Sequence, residues 1–408
     1  MYLNKYEESI LNGEYGPIKA KALKALVKMG EALGADRLIE ITHAHISGIS
    51  YTTIGEAGLE LLKELSAERV CVDASCNPAG FDLERWRLLG VPEEYYEKQI
   101  EIINSLRRMG VKITLSCTPY LIENIRPATH ISWAESNAVL YANSVLGALT
   151  NREGGLSALL AALVGRTPNY GLHIDENRKP SIIVNIEPNI DPNEPSVLGS
   201  LGYSLGQIIG YGVPYIINFR RPNNLEMVKY FLAGIGASSA LGLIIISQIS
   251  PDERRLRRTD LRNLERVDLD KRNIKNVFET FNDVQLEDFD IVYFGCPHLS
   301  LNEVLHILEH VKNVRLPKGK RMWLTTSRKV VSEIMALGYN IDDLWSRGIL
   351  LLSDMCPVVA PLRIIKVNSV ITDSVKAAHY LRKLHGIKVT LMERRRILKL
   401  MNEMYSRC

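Results

Sequence analysis

Three of the six cysteines of this chain share a sequence context that suits thiolate chemistry. Each follows an apolar-rich run in which a strand would end, and each has a proline one or two residues later, which stops a regular strand. In α/β sheets, ligands collect beyond the carboxyl ends of the strands. We therefore expect these three thiols, although distant in sequence, to meet at one inorganic site: Cys117, Cys296 and Cys356.

Several kinds of site could use such thiols. A zinc site is the weaker interpretation, because the chain has no C-x-x-C pair. Three thiolates without a fourth suit an iron–sulfur cluster with one open iron, which can act as a Lewis acid on a substrate hydroxyl. A cysteine nucleophile also stays open, paired with one of four histidines: His43, His45, His130 or His298.

The other cysteines have different contexts. Cys71 lies in an apolar run that predicts a strand, so we expect a buried and inert thiol. Cys76 competes for a place in the inorganic site, because it lies in an expected strand-end loop beside Asn77 and Pro78. Cys408 is the last residue.

Length and composition exclude several classes of protein. At 408 residues, two or three domains are expected, and 46% apolar with 24% charged residues is ordinary for a globular protein. A net charge of +4 gives no case for a nucleic-acid partner. The longest apolar run, 237–246, is too short to span a membrane, and the polar start resembles no signal peptide. We expect a cytoplasmic protein whose cysteines are free, metal-binding or catalytic.

Alternating strand and helix patterns must position these residues. In the first part of the chain the patterns predict a helix, a strand, a polar loop, a helix, a strand, a loop, a helix and a strand ending near Cys117. Such alternation implies parallel strands whose loops converge on one edge of a sheet. The predicted segments are 17–34, 38–41, 42–51, 56–65, 70–72, 73–80, 93–109 and 111–115.

The rest of the chain continues the alternation. A helix is expected to run to Leu149, an Ala/Leu-rich helix to Val164, then a turn at 165–168 and a strand at 181–186. Glycines four residues apart predict close helix packing: Gly202, Gly206 and Gly210. From residue 288 a fresh α/β pattern follows, with segments 300–311, 320–326, 329–337, 348–353 and 367–384 and a charged helical tail at 391–408. We expect α/β domains at 1–150, 151–285 and 286–408.

A set of short motifs makes the chain resemble the aconitase X family. They are SGIS at 47–50, SCNP at 75–78, SCTPY at 116–120, WAESNA at 133–138, NREGG at 151–155, GCPH at 295–298 and MCP at 355–357. The resemblance implies an α/β fold: an aconitase-like body of three domains with mostly parallel sheets around an iron–sulfur site. Unlike classical aconitases, the chain lacks a C-x-x-C pair and the swivelling fourth domain.

The resemblance also implies roles for particular residues. The three cysteines become ligands of a 4Fe–4S cluster with one open iron, and Lys376 is placed as a substrate contact in the last domain. Ser50, Glu135 and Ser136 are expected to orient substrate or relay a proton. From the residues alone, the serines could equally be helix caps and Glu135 a helix-start carboxylate. The implied substrate contacts are Gly48, Ile49, Ser50, Asn77, Pro78, Glu135, Ser136 and Lys376.

The implied activity is the removal of water from (R)-5-phosphomevalonate to give trans-anhydromevalonate 5-phosphate, in a modified mevalonate route to isoprenoids. Alternatives are a dehydratase of cis-3-hydroxy-L-proline and a non-catalytic iron–sulfur scaffold. The resemblance further implies a separate small subunit that supplies the swivelling domain. In aconitases generally a serine of that domain removes the proton, which leaves the base open between the two chains. A phosphate dianion is expected to meet backbone N–H groups near Gly48 and a basic side chain.

Overall fold

The computed structural model of the chain describes residues 1–258, 261–285 and 288–406. The strands of these residues are β1 Leu38–Glu40, β2 His43–Ile46, β3 Asp73–Cys76, β4 Ser132–Trp133, β5 Arg166–Pro168, β6 Ile182–Ile186, β7 Pro214–Ile217, β8 Ile245–Ile246, β9 Glu265–Leu269, β10 Ile291–Leu299, β11 Arg321–Thr326, β12 Ile349–Leu352, β13 Ser369–Thr372 and β14 Lys388–Leu391.

Helices alternate with these strands along most of the chain. The helices are α1 Lys5–Leu11, α2 Pro17–Ala32, α3 Tyr51–Leu65, α4 Trp86–Leu89, α5 Glu93–Arg108, α6 Ser136–Tyr141, α7 Gly155–Val164, α8 Pro195–Ile208, α9 Val228–Ser238, α10 Lys271–Thr280, α11 Leu301–His310, α12 Arg328–Ala336, α13 Ile341–Ser346, α14 Val375–His385 and α15 Arg394–Tyr405. Within the described residues, no helix is long and apolar enough to cross a membrane.

Three parallel sheets form the body of the molecule. Their strand orders are β3-β2-β4, β8-β7-β6-β9 and β12-β11-β10-β13-β14. A short antiparallel pair, β1-β5, lies beside the first sheet. Strands covered by helices on both faces read as nearly continuous apolar runs, as β10 and β12 do, and both are buried along their whole length. The expected α/β fold with mostly parallel sheets is confirmed.

Helices α8 and α9 pack closely through small residues. A Cβ added at Gly202 would lie 2.0 Å from the carbonyl oxygen of Phe231, and one at Gly206 would lie 2.2 Å from the hydroxyl of Ser238. Only glycine allows such an approach. The predicted packing is therefore confirmed for these two positions, whereas Gly210 lies beyond the end of the helix.

Several predicted elements in the first domain are wrong. The expected loop 42–51 contains β2, the central strand of the first sheet, because its polar histidines are buried with hydrogen-bonding partners rather than solvated. The strand expected at 70–72 begins three residues later, so Cys76 ends a strand. Cys71 is exposed rather than buried, and its thiol donates to the carbonyl of Leu163.

Other corrections concern chain segments whose partners are distant in sequence. The expected turn at 165–168 contains β5, which pairs with β1. The run 111–115 is not a regular strand, since Lys112 is the one residue of this run that forms a bridge to β3. The helix expected to run to Leu149 changes to a π-helical turn at 142–146.

In the last domain, β10 continues through Cys296 instead of ending before it. Cys356 lies four residues beyond the end of β12. Helix α13 was not predicted. The division into domains at residues 150 and 285 stays a prediction, and residue 286, where the last domain was expected to begin, lies outside the described residues, as does Cys408.

Candidate active site

One cavity of about 220 Å³ collects most of the residues selected from the sequence. All eleven residues expected as cluster ligands or substrate contacts line it, although they come from widely separated parts of the chain, whereas Cys76 and the four candidate histidines do not. The eleven residues are Gly48, Ile49, Ser50, Asn77, Pro78, Cys117, Glu135, Ser136, Cys296, Cys356 and Lys376. The structure therefore brings these residues together as expected, while the role of each one stays a prediction.

The carboxyl ends of parallel strands explain this convergence. In the first sheet, β2, β3 and β4 are followed respectively by the segment 48–50, by Asn77 and by Glu135. The last sheet contributes from the opposite side, through the residues that follow β12 and β13. The two sides touch directly, because the backbone N–H of Ala79 donates to the carbonyl oxygen of Asp354 at 2.7 Å and that of Cys356 donates to the carbonyl oxygen of Ala79 at 3.0 Å.

His298 ties the three cysteine segments together. Its backbone N–H donates to the sulfur of Cys117 at 3.3 Å, and its ring Nε2 lies 2.9 Å from the carbonyl oxygen of Met355, the residue before Cys356. Its Nδ1 lies 3.4 Å from the hydroxyl of Ser116. Because His298 also follows Cys296 by two residues, one buried residue links the three cysteine segments through its backbone and its ring.

This arrangement does not favour a cysteine nucleophile. Burial lowers the pKa of His298 to about 4, so the ring is neutral near pH 7. A neutral imidazole has one donor and one acceptor, and here these face Met355 and Ser116 rather than a thiol. His43 accepts from the indole N–H of Trp133, and His130 contacts His173, so neither engages a cysteine.

Burial favours the neutral form of each of the three thiols that line the cavity. Burial raises the pKa of Cys117 to about 12 and that of Cys296 to about 11, and it raises the pKa of Cys356 well above its ordinary value. Their mutual proximity adds to this effect, and a cationic group held among them would reverse it. Within the described residues no group of three His, Cys, Asp or Glu side chains converges closely enough for one metal ion.

Gly295 sets the course of the backbone immediately before Cys296. Its φ is +123°, and an added Cβ would lie 2.3 Å from the hydroxyl and 2.4 Å from the carbonyl oxygen of Thr325. We expect Gly295→Ala to destabilise the fold by about 1–3 kcal/mol and to displace Cys296. Melting temperature and iron content after reconstitution would both fall.

Gly319→Ala is the matched control for that prediction. Gly319 also has a positive φ, +95°, but nothing lies within 4 Å of an added Cβ. It should therefore show only the conformational cost, about 1 kcal/mol, and retain full iron. Equal iron loss in the two variants would contradict the proposed steric role of Gly295.

A buried ion pair forms the polar wall of the cavity. Lys376 donates to Glu135, to the hydroxyl of Ser136 at 3.2 Å and to the side-chain oxygen of Asn137 at 2.9 Å. These bonds use all three N–H groups of the ammonium. Burial alone would raise the pKa of Glu135, but Lys376 and the Asn77 amide more than offset it and leave that pKa below its ordinary value. Glu135 is therefore a carboxylate near neutral pH.

The helix-capping interpretations do not describe these side chains. Ser50 is at the N-cap position of α3, yet its hydroxyl donates to the carbonyl of Val359 at 2.8 Å. Glu135 is at the N-cap position of α6 without a side-chain capping bond, and the Ser136 hydroxyl faces Glu135 and Lys376. All three residues line the cavity, and Glu135 also lies at the start of α6, as the helix-start interpretation expected.

Asn137 and Tyr380 bear on the site although the sequence assigned them no role, and His45, a candidate partner for a cysteine, has a different one. Asn137 bridges Lys376 and the carbonyl oxygen of Cys117, and it follows Glu135 and Ser136 in the WAESNA motif, which was the available signal. Tyr380 lines the cavity one helical turn after Lys376, a spacing that places both on one face of α14. His45 holds Asn77, which only the pairing of β2 with β3 reveals.

The fold is an α/β body with parallel sheets, and its cavity is lined by buried thiols and a Glu–Lys pair. These features define a ligand site at the ends of the strands. Three family models match the chain: the aconitase X first domain over residues 1–176, the second domain over 180–279 and the third domain over 289–402. The chain therefore belongs to the aconitase X family. Dehydratases of this family are iron–sulfur enzymes.

Relatives of known activity resemble the chain over nearly its whole length. The phosphomevalonate dehydratase large subunit of Methanocaldococcus jannaschii is 41% identical, with 93% of this chain and 95% of that protein covered. The protein of the same name from Thermococcus kodakarensis is 40% identical, with 98% and 99% covered. The cis-3-hydroxy-L-proline dehydratase of Pseudomonas aeruginosa is 31% identical, and 95% of this chain matches 67% of that protein.

A solved structure has the same fold. The crystal structure of Thermococcus kodakaraensis aconitase X in its holo-form superposes with a TM-score of 0.88 at 38% identity. It covers 99% of this chain, and the match covers 100% of that chain. The aconitase-like fold implied by the sequence motifs is thereby confirmed.

Proposed function

We propose that this chain is the large, catalytic subunit of a hydro-lyase that dehydrates (R)-5-phosphomevalonate to trans-anhydromevalonate 5-phosphate. The observation that carries the proposal is the cavity itself, in which three thiols face a Glu–Lys pair. The relatives named for this activity match the chain end to end, whereas the hydroxyproline dehydratase extends well beyond it.

Cys117, Cys296 and Cys356 would hold a 4Fe–4S cluster through three thiolates, leaving one iron without a cysteine. When bound, the cluster supplies a Lewis acid for the leaving hydroxyl of the substrate. A tertiary hydroxide is a poor leaving group, so this assistance addresses the harder part of the reaction.

The chain's own polar side chains orient the substrate. Glu135, held as a carboxylate by Lys376, can accept a hydrogen bond from the substrate hydroxyl. Asn77 donates to Glu135 at 2.6 Å with one N–H of its amide and lines the cavity, so its other N–H is placed for a substrate oxygen. Fixed donors and acceptors of this kind act without reorganisation during the reaction.

The proton beside the substrate carboxylate needs a base. In this chain the hydroxyl of Ser50 donates to Val359, and that of Ser136 is engaged by Lys376 and Glu135. We assign the base to a small subunit, in keeping with relatives that are named as large subunits. The active enzyme would then be the complex of the two chains.

The phosphate requires donors beyond Lys376, whose three N–H groups are all engaged. Among the described residues, the backbone N–H groups of Gly48, Ile49 and Ser50 donate to no protein acceptor. They directly precede the short first segment of α3, which is interrupted by a kink at Gly55. Cations from the small subunit would complete the neutralisation of the dianion.

The substrate test uses the complete enzyme. The chain is reconstituted anaerobically with iron, sulfide and the small subunit, and turnover is measured on phosphomevalonate and on cis-3-hydroxy-L-proline. We expect kcat/KM for phosphomevalonate to be larger by at least about 100-fold, because a site built for a phosphate leaves its donors unpaired with the other substrate. A preference for hydroxyproline would select the alternative activity. A brown complex inactive on both would indicate an iron–sulfur scaffold.

A further inference from the structure

A hydrogen-bonded chain of side chains runs from the interior of the first sheet to the cavity. The hydroxyl of Ser75 lies 2.8 Å from Nδ1 of His45, and Nε2 of His45 lies 2.8 Å from Oδ1 of Asn77. Asn77 in turn donates to Glu135 at 2.6 Å. Ser75 and His45 are fully buried, and they face each other in register on β3 and β2.

The direction of each hydrogen bond between Ser75 and Glu135 follows from the chemistry of Glu135, at the cavity end of the series. The Glu135 carboxylate can only accept, so Asn77 must present its NH₂ group to it and its oxygen to His45. Nε2 of His45 must then donate to that oxygen. In a neutral ring Nδ1 is left as an acceptor, and the Ser75 hydroxyl must donate to it. Burial lowers the pKa of His45 to about 4, which keeps the ring neutral near pH 7.

We propose that Ser75 and His45 are positioning residues, which select the Nε2–H tautomer of His45 and thereby hold the Asn77 amide with its NH₂ group toward Glu135 and the substrate. A rotated amide would place its oxygen against the Glu135 carboxylate, and two acceptors repel. It would also present an acceptor, not a donor, to a substrate oxygen. The kinetic part of this proposal rests on the proposed function, while the tautomer does not.

The tautomer is measured directly by NMR of the full chain containing ¹⁵N-labelled histidine. We expect His45 to have its proton on Nε2 and to stay neutral from pH 6 to pH 8. In Ser75→Ala the Nδ1 resonance should move to higher frequency, because an unprotonated ring nitrogen loses its hydrogen bond. A proton on Nδ1, or a cationic ring at pH 7, would overturn the proposal. His45→Gln identifies the resonance.

The positioning role is tested by a double-mutant cycle in the reconstituted complex. Ser75→Ala should lower kcat/KM about tenfold, the effect of one lost hydrogen bond, and should have no further effect in an Asn77→Ala background. Ser132→Ala is the matched control, since Ser132 is a buried hydroxyl of the same sheet without a partner among the described residues. It should stay within about twofold of wild type.

The outcomes separate the two proposals. Additive effects of Ser75→Ala and Asn77→Ala, or equal losses in Ser75→Ala and Ser132→Ala, would show that Ser75 acts only on general stability and would overturn the positioning role. If the wild-type complex dehydrates neither substrate, the proposed function fails, and the NMR result still decides whether His45 orients the Asn77 amide.

Discussion

Lys376→Met should lower the free energy of unfolding by about 3–5 kcal/mol, the cost of leaving a buried charge without its partner. Lys376 and Glu135 are both largely buried, with side chains 10% and 13% exposed. The double variant Lys376→Met/Glu135→Gln removes both charges and should recover most of that stability. It should not recover turnover, because the carboxylate that orients the substrate is gone. Urea unfolding and turnover of the reconstituted complex measure the two effects separately.

Lys112→Met is the control for that experiment. Lys112 also pairs with two carboxylates, Asp73 at 3.4 Å and Glu123 at 3.7 Å, but its side chain is 49% exposed. Exposed pairs contribute at most about 1 kcal/mol, so this variant should unfold close to wild type. Equal stability of Lys376→Met and Lys112→Met would show that the pair of Lys376 with Glu135 contributes no more to stability than an exposed pair does. Wild-type turnover in the double variant would remove Glu135 from the mechanism.

The ion pair also predicts how stability depends on pH. The folded-state pKa of Glu135 is below the ordinary value of 4.5. Its contribution to stability is therefore fully present above about pH 4.5 and is lost as the pH falls through the folded-state pKa. In Glu135→Gln the free energy of unfolding should therefore decrease less steeply with falling pH than in the wild type over that acidic range. An unchanged acid profile would contradict the assignment of this carboxylate as ionised and paired.

The sequence predicted the chemistry of the site more completely than its local structure. The three cysteines could be grouped from their strand-end contexts, and the other cavity residues only through the motifs that the chain shares with the aconitase X family. The strand β2 could not be predicted, because its histidines are typical of a polar loop until their partners Ser75 and Trp133 are known. Burial of a polar side chain depends on partners that are distant in sequence.

The same limit explains the missed contributions of Asn137 and His298. Both lie in motifs quoted above, WAESNA and GCPH, but a motif does not say which atoms its residues contact. Asn137 matters because it joins Lys376, from the last domain, to the Cys117 backbone. His298 matters because segments more than 50 residues away meet around it. Sequence patterns report periodicity and capping, whereas such contacts are determined by how the domains pack.

Replacing any one of the three cavity cysteines should abolish cluster binding. Cys117→Ala, Cys296→Ala and Cys356→Ala each leave two thiolates, and we expect turnover to fall by at least about 1,000-fold with a matching loss of iron and of visible absorbance. In the metal-free chain the thiols are protonated, since burial raises the pKa of each. Cluster loading must therefore release protons, and it should weaken as the pH falls.

Cys76→Ala separates ligation from general packing. Cys76 is also fully buried, and burial raises its thiol pKa to about 12, but it does not line the cavity. Its replacement should cost about 1–2 kcal/mol of stability and leave iron, sulfide and turnover at wild-type levels. If one of the three cavity variants retains its iron and full turnover, that cysteine is not a ligand. If Cys76→Ala loses its iron while the folded fraction is unchanged, Cys76 is itself a cluster ligand.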